Sequence, residues 1–211
     1  MTRLPVALFC LFVFTSNAQW LQDHEGKVYL EKKPITAGTR MLFPEFQKAD
    51  VITFSGKVFK NMLVNLNLET NDPVFLQKDT VILAFAEEVL EMKIRQGDRE
   101  IIIKKGNSID LKLPSAYIVL LNRDPALMKY VRVKVDEVNN YGQTERTYQH
   151  TVDYYIKAST GYKKIRLTKA EAQNVFADKW QALQAFATEN RLSFKKEEEW
   201  VQMMKYYGSL R

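Results

Sequence analysis

The 211-residue chain holds one cysteine, Cys10, and two histidines, His24 and His150. A single thiol closes no intramolecular disulfide and builds no multi-cysteine zinc site. Neither His-x-His nor His-x₃-His spacing occurs. Asp153 could join the two histidines in a metal site only through the fold, so both are expected to be structural or solvent-facing. Eight glycines leave few positions for phosphate-cradling loops, and Gly106 with Asn107 and Ser108 reads as a turn. Gly-x-Ser-x-Gly nucleophile motifs and Asn-x-Ser/Thr glycosylation acceptors are both missing. The longest apolar run near the N-terminus covers residues 5–14, well short of the ~20 that a spanning helix needs. No basic run exceeds two residues, and no glycine and aromatic arrangement matches a nucleic-acid module, so no nucleic-acid partner is expected.

What is present at the start is the order of properties that marks an export signal. Arg3 gives a positive n-region, residues 5–14 an apolar h-region, and Ser16, Asn17 and Ala18 a small-x-small cleavage pattern. Residues 1–18 are thus expected to be a signal peptide cut between Ala18 and Gln19. Cys10 is an apolar member of the h-region, because Phe9 is too large to precede an acylated cysteine. The remaining chain of about 193 residues would be thiol-free and mildly basic, since losing Arg3 leaves 30 Lys+Arg against 25 Asp+Glu. A domain of this size buries roughly 70% of its unfolded surface and holds without disulfides. These properties point to a bacterial envelope, with a periplasmic or outer-membrane-associated address and secretion as the alternative.

Residues 19–42 read as a linker and N-terminal strand. Residues 43–167 read as an antiparallel β domain, because β-branched and aromatic residues come in short runs between turn signals. Residues 51–54 and 57–60 flank Ser55 and Gly56 as a tight hairpin. Residues 62–68 follow, with Pro73 tolerable only where the next strand begins. Strands near 74–77 and 80–85 precede a second hairpin, 89–94 with 100–104, whose isoleucines at 101–103 predict a strand covered on both faces. Residues 117–121 are a further apolar run. Residues 124–128 could form a helical turn leading into a strand at 130–136. Asn139 opens a turn to a polar segment, and strands 151–157 and 163–167 then complete a three-stranded meander.

The period changes at residue 168. Thr168 and Glu171 form a predicted capping box. Ala172, Val175, Phe176, Trp180, Leu183, Phe186 and Ala187 then recur at helical spacing to about Asn190. A second helix is predicted after Ser193, with residues 197–199 in its first turns, Lys205 in its last, Trp200, Val201, Met204 and Tyr207 as its apolar face, and Gly208 as its stop. Residues 168–211 are therefore expected to be a helical hairpin packed on the β domain. The fold class is mainly β (α+β), an antiparallel meander sheet or partly open barrel or sandwich with this C-terminal hairpin.

Several segments together resemble a group of exported proteins of Bacteroidota whose function is unknown. The likeness is carried by Asn17-Ala18-Gln19, by residues 43–54 ahead of Gly56 and Lys57, and by Asn65, Leu66, Asn67 and Leu68. Tail segments 155–157, 165–169, 190–194 and 206–210, with Phe176, agree. The resemblance implies a Gram-negative envelope address and carries over no functional residue.

Candidate chemistry is sparse. Asp136, Glu137 and Asp153 are the acids that could form a hydrolytic carboxylate pair, which needs a separation of ~5–9.5 Å in the fold. Tyr148, Tyr154, Tyr155 and Tyr162 could stack a sugar or peptide, although strand aromatics usually pack across strands. Lys129, Arg132 and Lys134, the cluster from Lys157 to Lys169, and Lys195, Lys196 and Lys205 could meet an anionic glycolipid or polysaccharide, or could be solvated faces. The expectation is an exported, non-catalytic interaction or structural module without cofactor or metal. An anionic-glycan binder and a carboxylate-dependent hydrolase are the alternatives.

Overall fold

The computed structural model describes residues 26–28, 37–78, 80–96, 99–140, 143–158 and 161–210. Eleven strands form one sheet: β1 (Gly26–Val28), β2 (Gln47–Thr53), β3 (Val58–Asn67), β4 (Asp72–Gln77), β5 (Val81–Phe85), β6 (Val89–Gln96), β7 (Arg99–Lys105), β8 (Tyr117–Asn122), β9 (Leu127–Asn140), β10 (Gln143–Ala158) and β11 (Gly161–Ile165). Every ladder is antiparallel, in the order β1-β5-β4-β3-β2-β6-β7-β8-β9-β10-β11. The fold is thus mainly β, as the residue pattern predicts, and the sheet does not close into a barrel. It does roll. Phe59 on β3 and Phe85 on β5 meet at 6.4 Å between ring centroids, and the Tyr117 N–H at the head of β8 donates to Asn71 Oδ1 in the β3–β4 turn.

Inside the roll lies one core, including Val51, Val64, Leu66, Phe75, Met92, Ile94 and Ile103. The turn between β2 and β3 falls at Ser55 and Gly56, as expected, while Gly97 and Asp98 of the second expected turn lie outside the described residues. Gly56 takes φ +86° between β2 and β3, a conformation L side chains avoid. The two runs read as separate segments around residue 61 are instead one strand. β3 passes through Asn61 at φ +56°, and the Asn61 N–H donates to Asp50 Oδ1 at 3.1 Å, where the pairing with β2 shifts register. Ile102 and Ile103 are both buried, as a strand covered on both faces requires.

Three further expectations are corrected. Residues 124–128 form no helical turn; β9 already begins at Leu127. The polar segment after Asn139 is strand, so β9 and β10 pair in unbroken register from Leu127↔Ile156 to Asn140↔Gln143. Cross-strand polar pairs support that outer stretch: Thr144 donates to Asn139 at 2.8 Å and Arg146 Nε to Glu137 at 3.0 Å. The expected single helix from 168 to 190 is broken into α1 (Lys169–Val175), a 3₁₀ turn and α2 (Trp180–Glu189), and it is followed by α3 (Glu197–Ser209). The 3₁₀ turn keeps Ala172, Phe176, Leu183 and Ala187 in one buried cluster.

The caps also differ in detail. Thr168 Oγ1 accepts from the Glu171 N–H at 3.2 Å, but the Glu171 carboxylate is bound by Lys163 at 2.9 Å. Gly208 does not stop α3; it lies in the last turn, where an added Cβ would stand 3.2 Å from the Asp124 carbonyl. Lys205 accordingly falls outside the final turn. The three helices cover one face of β8–β11 through Leu127, Ile156, Ile165, Trp200, Met203 and Met204, and the Trp200 indole donates to the Phe194 carbonyl at 2.9 Å. On the opposite face Ile118 and Met128 pack with Leu113, Tyr155 and Tyr162.

A strap before β2 ties the roll to the β9–β10 ribbon. Tyr148 donates its N–H to Ala37 at 3.0 Å, Leu68 donates to Arg40 at 2.8 Å and Leu42 to Leu66 at 2.9 Å. Gly38, at φ +74°, lets the strap lie so close that a Cβ there would be 2.3 Å from the Tyr148 carbonyl oxygen. Of the segment read as linker and strand, β1 and this strap are described; residues 1–18, the expected signal, lie outside the described residues.

Candidate functional site

The fold separates the residues that the sequence offered for chemistry. His24 lies outside the described residues. His150 Nε2 sits 2.7 Å from the Thr39 carbonyl and helps pin the strap. His150 and Asp153 are three apart on β10, hence on opposite faces, so they do not converge on one ion. Among the described residues no cluster of three His, Cys, Asp or Glu could hold a metal. Asp153 pairs with Tyr130, six residues from Asp136 on β9, which sets the two carboxylates about 20 Å apart at ~3.3 Å per residue. That exceeds the reach of a glycosidase pair.

Each of these acids instead meets a cation. Asp153 binds Arg132 at 2.9 Å and Lys164 at 2.8 Å, Asp136 binds Lys134 at 2.7 Å, and Glu137 binds Arg146 at 3.0 Å. The same pairs engage Arg132, Lys134 and Lys164, three of the basic residues that suggested an anionic ligand. The tyrosines do not share a platform either. Tyr148 is buried with its hydroxyl 3.4 Å from Glu69, Tyr154 belongs to the helix side of the sheet, and Tyr155 and Tyr162 pack on the other side.

Two concavities formed by described residues present more apolar than polar surface. The larger, about 540 Å³, lies between α3 and the strands β7 and β8. Ile101, Leu121 and Val201 give it apolar walls, and Glu100, Arg123, Lys129, Glu197, Glu198 and Lys205 contribute charge. Lys129 Nζ holds both oxygens of Glu197, at 2.8 and 2.9 Å, and the Tyr154 hydroxyl donates to Glu197 Oε2 at 3.3 Å. Burial, then the negative charge of Glu197, pushes the Tyr154 hydroxyl up to about 12. Arg123 closes on Glu100. Glu198 and Lys205 make no ion pair with a described residue. They stand on α3 at i and i+7 with Val201 between them, about 10 Å apart along the axis at ~1.5 Å per residue. Reading α3 alone would give this face; its opposition to Ile101 and Leu121 comes only from the tertiary fold.

The smaller concavity, about 340 Å³, opens at the mouth of the roll and is lined by Val58, Phe59, Met62, Phe85 and Ala86, with Thr53, Lys60 and Glu87. Beside it Phe54 is 70% and Val58 55% exposed. Glu87 accepts from Lys57 at 2.8 Å and from the Ser55 hydroxyl, and these two bonds hold its carboxyl below the ordinary range.

Comparison with protein-family models, with curated proteins and with solved structures finds no match for this chain. Among the described residues no helix is long and apolar enough to cross a membrane.

Proposed function

We propose that this chain is an exported, non-catalytic interaction module of a bacterial cell envelope, and that it meets a protein partner in the cleft beneath α3. The observation that carries the reading is the make-up of that cleft. Apolar walls from Ile101, Leu121 and Val201 are flanked by Glu198 and Lys205, which are not engaged in ion pairs within the described fold. An extended peptide spans ~3.3 Å per residue, so three or four residues would bridge the two charges and place an apolar side chain over Val201. Interfaces of this kind join an apolar centre to a charged rim. The separation of Asp136 from Asp153 supports binding over hydrolysis, and the resemblance to exported proteins supports the address.

The test pairs two measurements. Pull-down from envelope extract should recover a partner with the parent protein and lose it when Glu198→Lys and Lys205→Glu reverse both charges. A hydrolase substrate panel should show no turnover. Turnover removed by Glu100→Gln or Glu198→Gln would instead make the cleft a carboxylate-dependent active site.

A further inference from the structure

We infer that the mouth of the roll is a self-association surface, on which two copies of this chain pair about a two-fold axis with Phe54 of each copy seated in the apolar groove of the other. The turn that carries Phe54 is built as a fixed knob. The Thr53 N–H donates to the Lys57 carbonyl at 3.0 Å, the Gly56 N–H to the Thr53 carbonyl at 3.0 Å, and the Phe54 N–H to the Glu88 carbonyl at 2.9 Å. Glu87 ties the same turn from the side, accepting from Lys57 at 2.8 Å and from the Ser55 hydroxyl. The side chain that this bracing holds in place is a phenyl ring 70% exposed to water. A ring held by a rigid turn loses little conformational freedom on docking, which is what an interface anchor requires.

The groove beside the knob is the matching half. Phe54 follows Thr53, one of the lining residues, and Phe59, Met62 and Phe85 line the 340 Å³ space with apolar atoms. At its exposure Phe54 does not fill the groove of its own chain. A second copy satisfies knob and groove together, because a two-fold contact is made twice. Charge points to the same occupant. Lys60 lines the groove and Asp72 lines a more polar depression next to it, and the two hollows share Phe85, Ala86 and Glu87. Both side chains are exposed and neither makes an ion pair with a described residue, whereas Glu87 and Glu88 are held by Lys57 and Lys105. A two-fold rotation sets the cation of one copy against the acid of the other, so the surface is its own electrostatic complement.

The test is sedimentation velocity on the purified protein over a dilution series, its N-terminus read by mass spectrometry. The parent should pass from monomer to dimer, and no further, as its concentration rises. Phe54→Ala, Lys60→Glu and Asp72→Lys each alter an exposed side chain, so the fold should persist, and near-ultraviolet circular dichroism, to which buried Trp200 contributes, should stay unchanged. Each should weaken dimerisation by about tenfold, since a two-fold interface loses every contact twice. An equimolar mixture of Lys60→Glu and Asp72→Lys should recover a dimer of parental strength, because both charge contacts of the mixed pair again join unlike signs. A parent that stays monomeric throughout the series would overturn the proposal. So would a dimer that none of the three substitutions weakens, which places the contact on another face. A mixture no stronger than its two components would also overturn it, because the two charges then do not meet across a two-fold axis.

Discussion

Asn65 grips Phe43 in both directions: its Nδ2 donates to the Phe43 carbonyl at 2.9 Å, and its Oδ1 accepts from the Phe43 N–H at 3.1 Å. The same amide accepts from the Leu66 N–H at 2.9 Å and donates to the Glu45 carbonyl at 3.4 Å, with the residue 2% exposed. Two segments that carry the resemblance, 43–54 and 65–68, are therefore one contact. Asn65→Leu keeps the volume and removes the partners of Phe43. A buried backbone group left without a partner costs about 1–3 kcal/mol, so the unfolding free energy should fall by that amount and the denaturant midpoint should drop at constant slope.

The strap can be probed at Gly38. Gly38→Ala combines a left-handed backbone with a Cβ driven into the Tyr148 carbonyl, whereas Gly56→Ala meets no atom within 4 Å and adds backbone strain alone. That strain is worth roughly 1–2 kcal/mol. Gly38→Ala should be the more destabilising of the two, and it alone should speed amide exchange at Tyr148, whose N–H donates to Ala37.

Glu199 caps α3. Burial raises its pKa, but donors outweigh that: the Ser193 hydroxyl at 2.7 Å, and the N–H groups of Lys196, Lys195 and Ser193, hold the carboxyl below its ordinary value of 4.5. A depressed folded pKa gives stability that is present above 4.5 and lost as the pH falls through the folded value. Glu199→Gln should therefore cost stability at neutral pH and flatten the acid limb of a stability–pH curve. An acid limb identical in both proteins would count against this assignment.

Tyr154 gives the opposite limb. Its hydroxyl, raised from 10.0 to about 12, favours the neutral form in the folded chain. The associated stability is whole below pH 10 and is lost as the pH rises through about 12. Tyr154→Phe should show a shallower decline across that interval than the parent in alkaline denaturation, and Glu197→Gln should lower the pH at which Tyr154 ionises in ultraviolet titration.

Much of the sheet was legible because its signals are local. Gly56, the alternation of β6 and the isoleucines of β7 each report their own backbone. The unity of β3 was not legible, because Asn61 is held in a left-handed bulge by Asp50, eleven residues away. The outer half of the β9–β10 ribbon was hidden for another reason. It gains from pairs such as Arg146 with Glu137 rather than from apolar burial, so its composition reads as loop. The break between α1 and α2 left no trace in a stripe that three- and four-residue steps continue unchanged. The cleft beneath α3 draws on β7, β8 and a helix about 100 residues later. Such convergence is a property of topology, and no single segment carries it.

The strap also orders events in time. Thr39 and His150, which it brings together, lie 111 residues apart in sequence, and the Ala37↔Thr147 bridge spans nearly as many. Contacts of such separation form late, after loop-closure entropy has been overcome by nearer pairings. A chain growing from its N-terminus therefore exposes residues 37–39 long before their partners on β10 exist. The hairpins from β2 to β8 have local pairings to build on, but the attachment of the strap to the ribbon waits for β10. Until then the strap is held only at its β3 end, by Leu66 and Leu68, and the interval in which its Ala37 end is most open to a chaperone or a protease ends when residue 150 arrives.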